Sequence, residues 1–127
     1  MAESPFPSSL IVDDSEGVCL TLSMMLEKSG FQTHTANTLE EGARAAQERA
    51  FDLVLVDRTL GRESGLSLAE NLLRSNPRLR IVMMTGAADL SDEMQRHPEI
   101  SQLPLLYKPF SRQELLSLLR SVLDRAA

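Results

Sequence analysis

The chain has 127 residues, 43% hydrophobic and 24% charged, with a net charge of −5. That is one domain with enough interior to fold without a disulfide or structural metal, and its negative balance argues against a nucleic-acid backbone binder while leaving room for an acidic site that collects a cation. The single Cys19 excludes an internal disulfide, no apolar run reaches the roughly 18 residues of a membrane span, and MAESPFPSS lacks the regions of a secretory signal, so a cytoplasmic setting without membrane contact is expected.

Residues 1–8, with Pro5 and Pro7, read as a short disordered arm ahead of a domain over 9–127. Residues 10–12 (LIV) are a short apolar strand stopped by Asp13-Asp14. Val18, Leu22, Met25, Leu26 and Ser29 then recur at helical spacing, closed by Gly30. Cys19 falls inside this pattern and reads as a buried structural thiol. Residues 31–36 alternate as a second strand. Thr38 and Glu41 form a T-x-x-E capping box before a helix whose face carries Leu39, Ala43, Ala46 and Ala50. Residues 51–57 (FDLVLVD) are a third strand, almost wholly apolar until Asp57.

A polar loop follows, and Gly65 precedes a helical pattern of Leu66, Leu68, Ala69, Leu72 and Leu73 that Asn76-Pro77 stops. Residues 80–85 (RIVMMT) are a fourth strand, and residues 90–96 carry a weakly patterned helix ended by His97-Pro98. A fifth strand, 105–107, stops at Lys108-Pro109. Ser111 and Glu114 make a second capping box, opening a helix with Leu115, Leu118, Leu119, Val122, Leu123 and Ala126 on its apolar face. Five β-α repeats with continuous apolar strands argue for a parallel α/β sheet covered on both faces, with right-handed crossovers. In such sheets the site lies outside the carboxyl ends of the strands.

Those ends carry a particular chemistry. Strand 1 delivers Asp13 and Asp14, strand 3 Asp57, strand 4 Thr85 and strand 5 Lys108, while strand 2 ends in Ala36-Asn37 with nothing ionisable. Clustered carboxylates repel one another, and a hard divalent cation relieves this. Few ligands, all oxygen, suit Mg²⁺, which keeps waters and holds phosphates. With Lys108 and Thr85 to meet phosphoryl oxygens, one carboxylate can act as nucleophile and form an acyl phosphate. No phosphate-cradling G-x-x-x-x-G-K-[ST] loop is present.

LIVDD at 10–14, the strand ending at Asp57, DRTLGRESG with Gly65, MTGA at 84–87 and YKPF at 107–110 together resemble the receiver domain of two-component response regulators. The resemblance covers about residues 9–125. It implies a doubly wound, flavodoxin-like five-stranded parallel sheet in the order 2-1-3-4-5, with five helices. It further implies that Asp57 is the phosphoacceptor, that Asp14 ligates Mg²⁺ (or Mn²⁺) with Asp57 and the backbone carbonyl of Thr59, and that Asp13 acts in the same pocket by ligation or through water. Thr85 and the N–H of Gly86 or Ala87 would hold phosphoryl oxygens. Lys108 would pair with Asp57 before the phosphoryl group arrives, and the Lys108–Pro109 bond would be cis. The implied partners are a histidine kinase or histidine phosphotransfer protein and a downstream protein target, with no direct nucleic acid contact and a monomer or weak dimer.

Blander readings stand beside each residue. Asp13-Asp14 alone could cap the first helix, Thr85-Gly86 could be turn chemistry, and Lys108 could be a solvated strand end; their meeting at one sheet edge outweighs all three. His34 and His97 have no partner by spacing and read as structural or exposed. The methionines read as core filler, and Arg74, Arg78 and Arg80 as a solvated face. Two positions depart from the family pattern. Receivers often carry an aromatic three residues before the lysine, where this chain has Leu105, so Tyr107 becomes the candidate switch aromatic. Many also carry proline four residues after the acceptor, where this chain has Gly61. Two other classes stand as alternatives: a pseudo-receiver that binds partners but is not phosphorylated, and an Asp-nucleophile phosphatase of the haloacid dehalogenase type. Thr59 stands where the latter's second aspartate belongs. A receiver is a signalling module that promotes its own phosphorylation rather than a turnover enzyme.

Overall fold

Each main strand is an unbroken apolar run, and such a run is stable only where both of its faces are covered. The computed structural model describes residues 7–86 and 94–124, the last of them by its backbone. The elements are β1 (Ser8–Val12), α1 (Glu16–Lys28), β2 (Gln32–Ala36), α2 (Leu39–Glu48), β3 (Leu53–Asp57), β4 (Thr59–Leu60), β5 (Glu63–Ser64), α3 (Gly65–Ser75), β6 (Arg80–Thr85), β7 (Leu105–Tyr107) and α4 (Arg112–Asp124). Five strands form a parallel sheet in the order β2-β1-β3-β6-β7. Apart from the short β4–β5 pair, this is the 2-1-3-4-5 order of a doubly wound, flavodoxin-like fold.

Alternation along the strands divides the core in two. Leu10, Val12, Val54, Val56, Ile81 and Met83 face one way and pack with Leu66, Leu68, Ala69 and Leu72 of α3 and with partly buried Leu39, Ala43 and Ala46 of α2. Ile11, Leu53, Leu55, Val82 and Met84 face the other way and meet Cys19, Leu22 and Leu26 of α1 and Leu115, Leu119 and Val122 of α4. Each leucine buried in this way contributes roughly 1.5–3 kcal/mol relative to exposure. Cys19 is a buried thiol, and burial pushes its pKa up to about 11, which makes it inert packing.

The helix ends follow the sequence signals. Ser15 is the N-cap of α1, its hydroxyl accepting from the Val18 N–H. At the other end the Phe31 N–H reaches the Leu26 carbonyl and the Gly30 N–H the Glu27 carbonyl, a Schellman pair. The Ser111/Glu114 box is fully reciprocal at 3.0 Å in both directions. The Thr38/Glu41 box is half made: Thr38 caps the Glu41 N–H, but the Glu41 carboxylate accepts from Asn37, one residue earlier.

Four helices lie among the described residues; the helix expected over 90–96 falls mostly outside them. Other expectations are corrected. β1 begins at Ser8, within the stretch read as an arm over 1–8, of which residues 1–6 lie outside the described residues. The polar loop after Asp57 contains a small antiparallel hairpin, too short to show in a period-2 pattern. Both histidines have partners. His34 meets the Arg49 guanidinium and lies edge-on to Phe51 at 5.7 Å, and burial, then Arg49, lower its pKa. His97 lies 3.6 Å from Glu70, and Arg74 lies 3.9 Å from Glu99, so that part of the arginine face is paired. These contacts join residues 15 to 27 positions apart, beyond the reach of a spacing argument.

Gly65 fixes how α3 meets β3. A Cβ there would lie 1.9 Å from the Asp57 carbonyl oxygen and 2.9 Å from Val56. Because the nearer obstacle is backbone, the helix start would have to move away from the strand end. We expect Gly65→Ala to lower stability by about 1–3 kcal/mol, measured by urea unfolding. A loss below about 0.5 kcal/mol, within the range of an ordinary surface change, would refute this close approach.

Candidate functional site

The parallel sheet brings Asp13, Asp14, Asp57, Thr85 and Lys108 to one edge because each directly ends or follows a strand. Register completes the placement: Thr85 lies opposite Tyr107, and the Lys108 N–H donates to the Thr85 carbonyl at 2.7 Å. Thr85 is buried, Gly86 beside it is exposed, and Ala87 lies outside the described residues. The Lys108–Pro109 peptide is cis.

Asp13 is fully buried at the end of β1. One carboxylate oxygen accepts from the Ser15 N–H at 2.9 Å and the other from Lys108 Nζ at 2.7 Å. Its carbonyl accepts from Asn37 Nδ2 at 3.0 Å and from Cys19 Sγ at 3.4 Å. Asp14 is exposed, and its Oδ2 accepts from the Gly61 N–H at 3.1 Å. Asp57 closes β3, buried, with Oδ1 3.3 Å from Lys108 Nζ. Oxygens from the three carboxylates lie within 4.8 Å of one another.

The helix-cap reading of Asp13-Asp14 gives way here: Ser15 supplies the cap, leaving both carboxylates to the pocket. Lys108 lies closer to Asp13 than to Asp57, the partner expected for it. The buried carboxylate has no water to stabilise it, so it draws the ammonium more strongly. Thr59 is exposed in β4, opposite Ser64. Tyr107 is 44% exposed and lines an open groove of about 580 Å³ with Leu106, Ser111, Glu114 and Leu118. Its side chain is exposed to solvent rather than packed in the core.

Three contributors were not found from sequence. Ser15 and Gly61 act through backbone N–H groups, which every residue but proline has. Asn37 is not ionisable, and its position at the end of strand 2 is the one sequence signal for its contact with Asp13.

The charges set the electrostatics. Burial first, then Asp13, raises the pKa of Asp57, and Lys108 partly offsets this. Burial opposes the charge on Lys108, but its contacts with Asp13 and Asp57 outweigh that, and its pKa is raised. Three carboxylates with one ammonium retain negative charge, and three oxygen donors at an open edge fit a hard divalent cation such as Mg²⁺.

A doubly wound sheet with an acid cluster, a hydroxyl and a lysine at its carboxyl edge defines a class, and sequence comparison identifies it. The profile of the response regulator receiver domain matches residues 9–120, and the chain belongs to that family. It is 32% identical over 123 residues, 94% of this chain and 53% of the relative, to the phosphate regulon transcriptional regulatory protein PhoB of Rhizobium meliloti (strain 1021). It is 37% identical over 92 residues, 68% of this chain and 50% of the relative, to the photosynthetic apparatus regulatory protein RegA of Rhodobacter capsulatus. The matched stretch thus spans about half the length of these relatives. Among solved structures, a CheY-like receiver domain protein from Methanospirillum hungatei JF-1 superposes with a TM-score of 0.86 at 26% identity, covering 95% of this chain and 96% of that one. Among the described residues, no helix is long and apolar enough to cross a membrane.

The raised Asp57 pKa has a consequence for stability. The folded chain holds this proton more tightly than the unfolded chain, so the carboxyl costs stability as pH rises from 3.8 through the higher folded value. Asp57→Asn removes that cost. In EDTA-treated buffer at pH 7, its urea midpoint should exceed that of wild type, and the gap should close on acidification toward pH 4. A variant equal to or less stable than wild type at pH 7 would contradict the electrostatic reading.

Proposed function

We propose that this receiver takes a phosphoryl group from a phosphohistidine of a histidine kinase or histidine phosphotransfer protein onto Asp57, and signals by protein contact or onward transfer. The observation that carries this reading is the position of the Asp57 carboxylate, at a sheet edge between Lys108 and two further aspartates. Asp57 is the nucleophile: a carboxylate oxygen attacks phosphorus, an O–P bond forms, the N–P bond breaks, and its electron pair stays with the donor imidazole. Lys108 sits where it can turn toward the arriving oxygens while keeping its bond to Asp13. Thr85 would supply a hydroxyl, and Gly86 or Ala87 a backbone N–H, for the same oxygens.

Asp13, Asp14, Asp57 and the Thr59 carbonyl would hold Mg²⁺, or Mn²⁺ in its place. When bound, the cation supplies positive charge against the phosphoryl oxygens and the carboxylates. Asp57 must be ionised to attack, so transfer should fall away as the carboxyl protonates at acid pH. The net charge of −5 argues against direct nucleic acid contact. Transcriptional regulation is named for relatives about twice as long as the matched stretch.

Incubation with acetyl phosphate and Mg²⁺ should add one phosphoryl group, read by intact mass, and Asp57→Asn should abolish it. Full labelling of that variant would remove Asp57 from the role of acceptor. A wild-type chain that stays unlabelled, both with acetyl phosphate and with phosphohistidine donors, would instead be a binding module that is not phosphorylated.

A further inference from the structure

Position 61 departs from the proline common in receivers, and here a glycine amide is put to use. Thr59 pairs with Ser64 and Leu60 with Glu63, leaving Gly61-Arg62 as a two-residue turn. Gly61 has φ +65°, which glycine adopts without strain and which tight hairpin turns require at their first position. The hairpin is anchored: Leu60 is buried in the core, the Arg58 N–H donates to the Met84 carbonyl at 2.8 Å, and the Gly65 N–H donates to the Arg58 carbonyl at 2.7 Å. So anchored, the turn directs the Gly61 N–H to Asp14 Oδ2 at 3.1 Å, across 47 residues of sequence.

We propose that Gly61 is a positioning residue for the divalent-cation site: its backbone N–H holds one oxygen of Asp14 and so keeps the other available beside Asp13 and Asp57. The inference rests on the cation-binding reading above. Asp14 is the exposed member of the acid cluster. Untethered, it would turn toward water and away from its like-charged neighbours, and that freedom would have to be lost on binding. A lysine or arginine could also hold it, but would cancel the negative charge that attracts the cation. A neutral N–H on an anchored turn orders the carboxylate and leaves the charge intact, as outer-shell groups do for metal-ligating carboxylates. Proline at 61 would lack the N–H, and its φ near −65° is opposite in sign to the turn.

The test is Mg²⁺ titration calorimetry on the full chain, comparing wild type with Gly61→Pro and Gly61→Asn, with ¹H–¹⁵N spectra of each. Asparagine keeps the N–H and tolerates positive φ. Wild type should show a Gly61 amide protected from solvent exchange before Mg²⁺ is added. Gly61→Asn should bind within about twofold of wild type and Gly61→Pro about tenfold more weakly, with spectral changes confined to the hairpin and its contacts. Proline binding as tight as wild type would overturn the role of the N–H, as would asparagine losing as much as proline while its spectrum shows the hairpin intact. So would a freely exchanging Gly61 amide, which decides the matter even if Gly61→Pro fails to fold. No Mg²⁺ binding by wild type would overturn the cation reading itself, and this inference with it.

Discussion

The Lys108–Asp13 contact is the interaction on which the rest of the site depends. It joins the end of β1 to the residue after β7, across 95 positions, at 2.7 Å. A carboxylate with no exposure to water is costly to keep charged unless it is paired. Asp13 is paired on both oxygens, by the ammonium and by the Ser15 N–H. The ammonium can reach it only if the sheet closes in the order β2-β1-β3-β6-β7, which leaves β3, with Asp57, between the first strand and the last two. Fold and charge therefore specify one another. The topology brings Lys108 to Asp13, and the cost of an unpaired Asp13 penalises any arrangement that does not.

The same contact explains why Asp57 remains available. Lys108 lies nearer Asp13 and is only within 3.3 Å of Asp57, so Asp57 shares a cation rather than owning one. Burial and Asp13 then keep its pKa raised despite the lysine. A carboxylate that is incompletely neutralised has more to gain from a cation than one locked in a close pair. Asp13 takes the stronger share of the lysine's charge, and Asp57 keeps more of its own uncompensated.

Much of this was legible in the sequence because it depends on periodicity and on strand ends. Continuous apolar strands gave the parallel sheet, and the polar residue closing each strand gave the site, since every such residue reaches the same edge. Gly30, Thr38 and Ser111 marked helix ends through specific backbone and hydroxyl chemistry. What stayed hidden involves pairs distant in sequence or groups without a distinctive side chain. Nothing at spacing range links His97 to Glu70 or His34 to Arg49, and the preference of Lys108 for Asp13 over Asp57 depends on a difference in burial between two aspartates in a common edge. The two-residue strands β4 and β5 are too short for any period to appear.

The segment from Asp57 to Gly65 shows how backbone chemistry leaves its trace. Most of its long-range hydrogen bonds come from the Arg58 N–H and carbonyl, the Gly61 N–H and the Gly65 N–H, while Leu60 anchors it by burial and the Ser64 hydroxyl caps α3. The demands that do reach the sequence fall on what a residue must not have. Gly65 can carry no Cβ, because the Asp57 carbonyl occupies that space. Position 61 must keep an N–H and accept positive φ. Neither demand falls on Arg62 or Glu63, so a loop that looks irregular as a string of side chains is ordered largely by its backbone, by Leu60 and by the Ser64 cap. The readout side is different. Tyr107 is set one pleat further along β7 than Leu105, is exposed, and lines an open groove with Glu114 and Leu118 of α4. The edge of the sheet is thus constrained by charge and by backbone geometry, whereas at the neighbouring groove it is the side chains that form the surface.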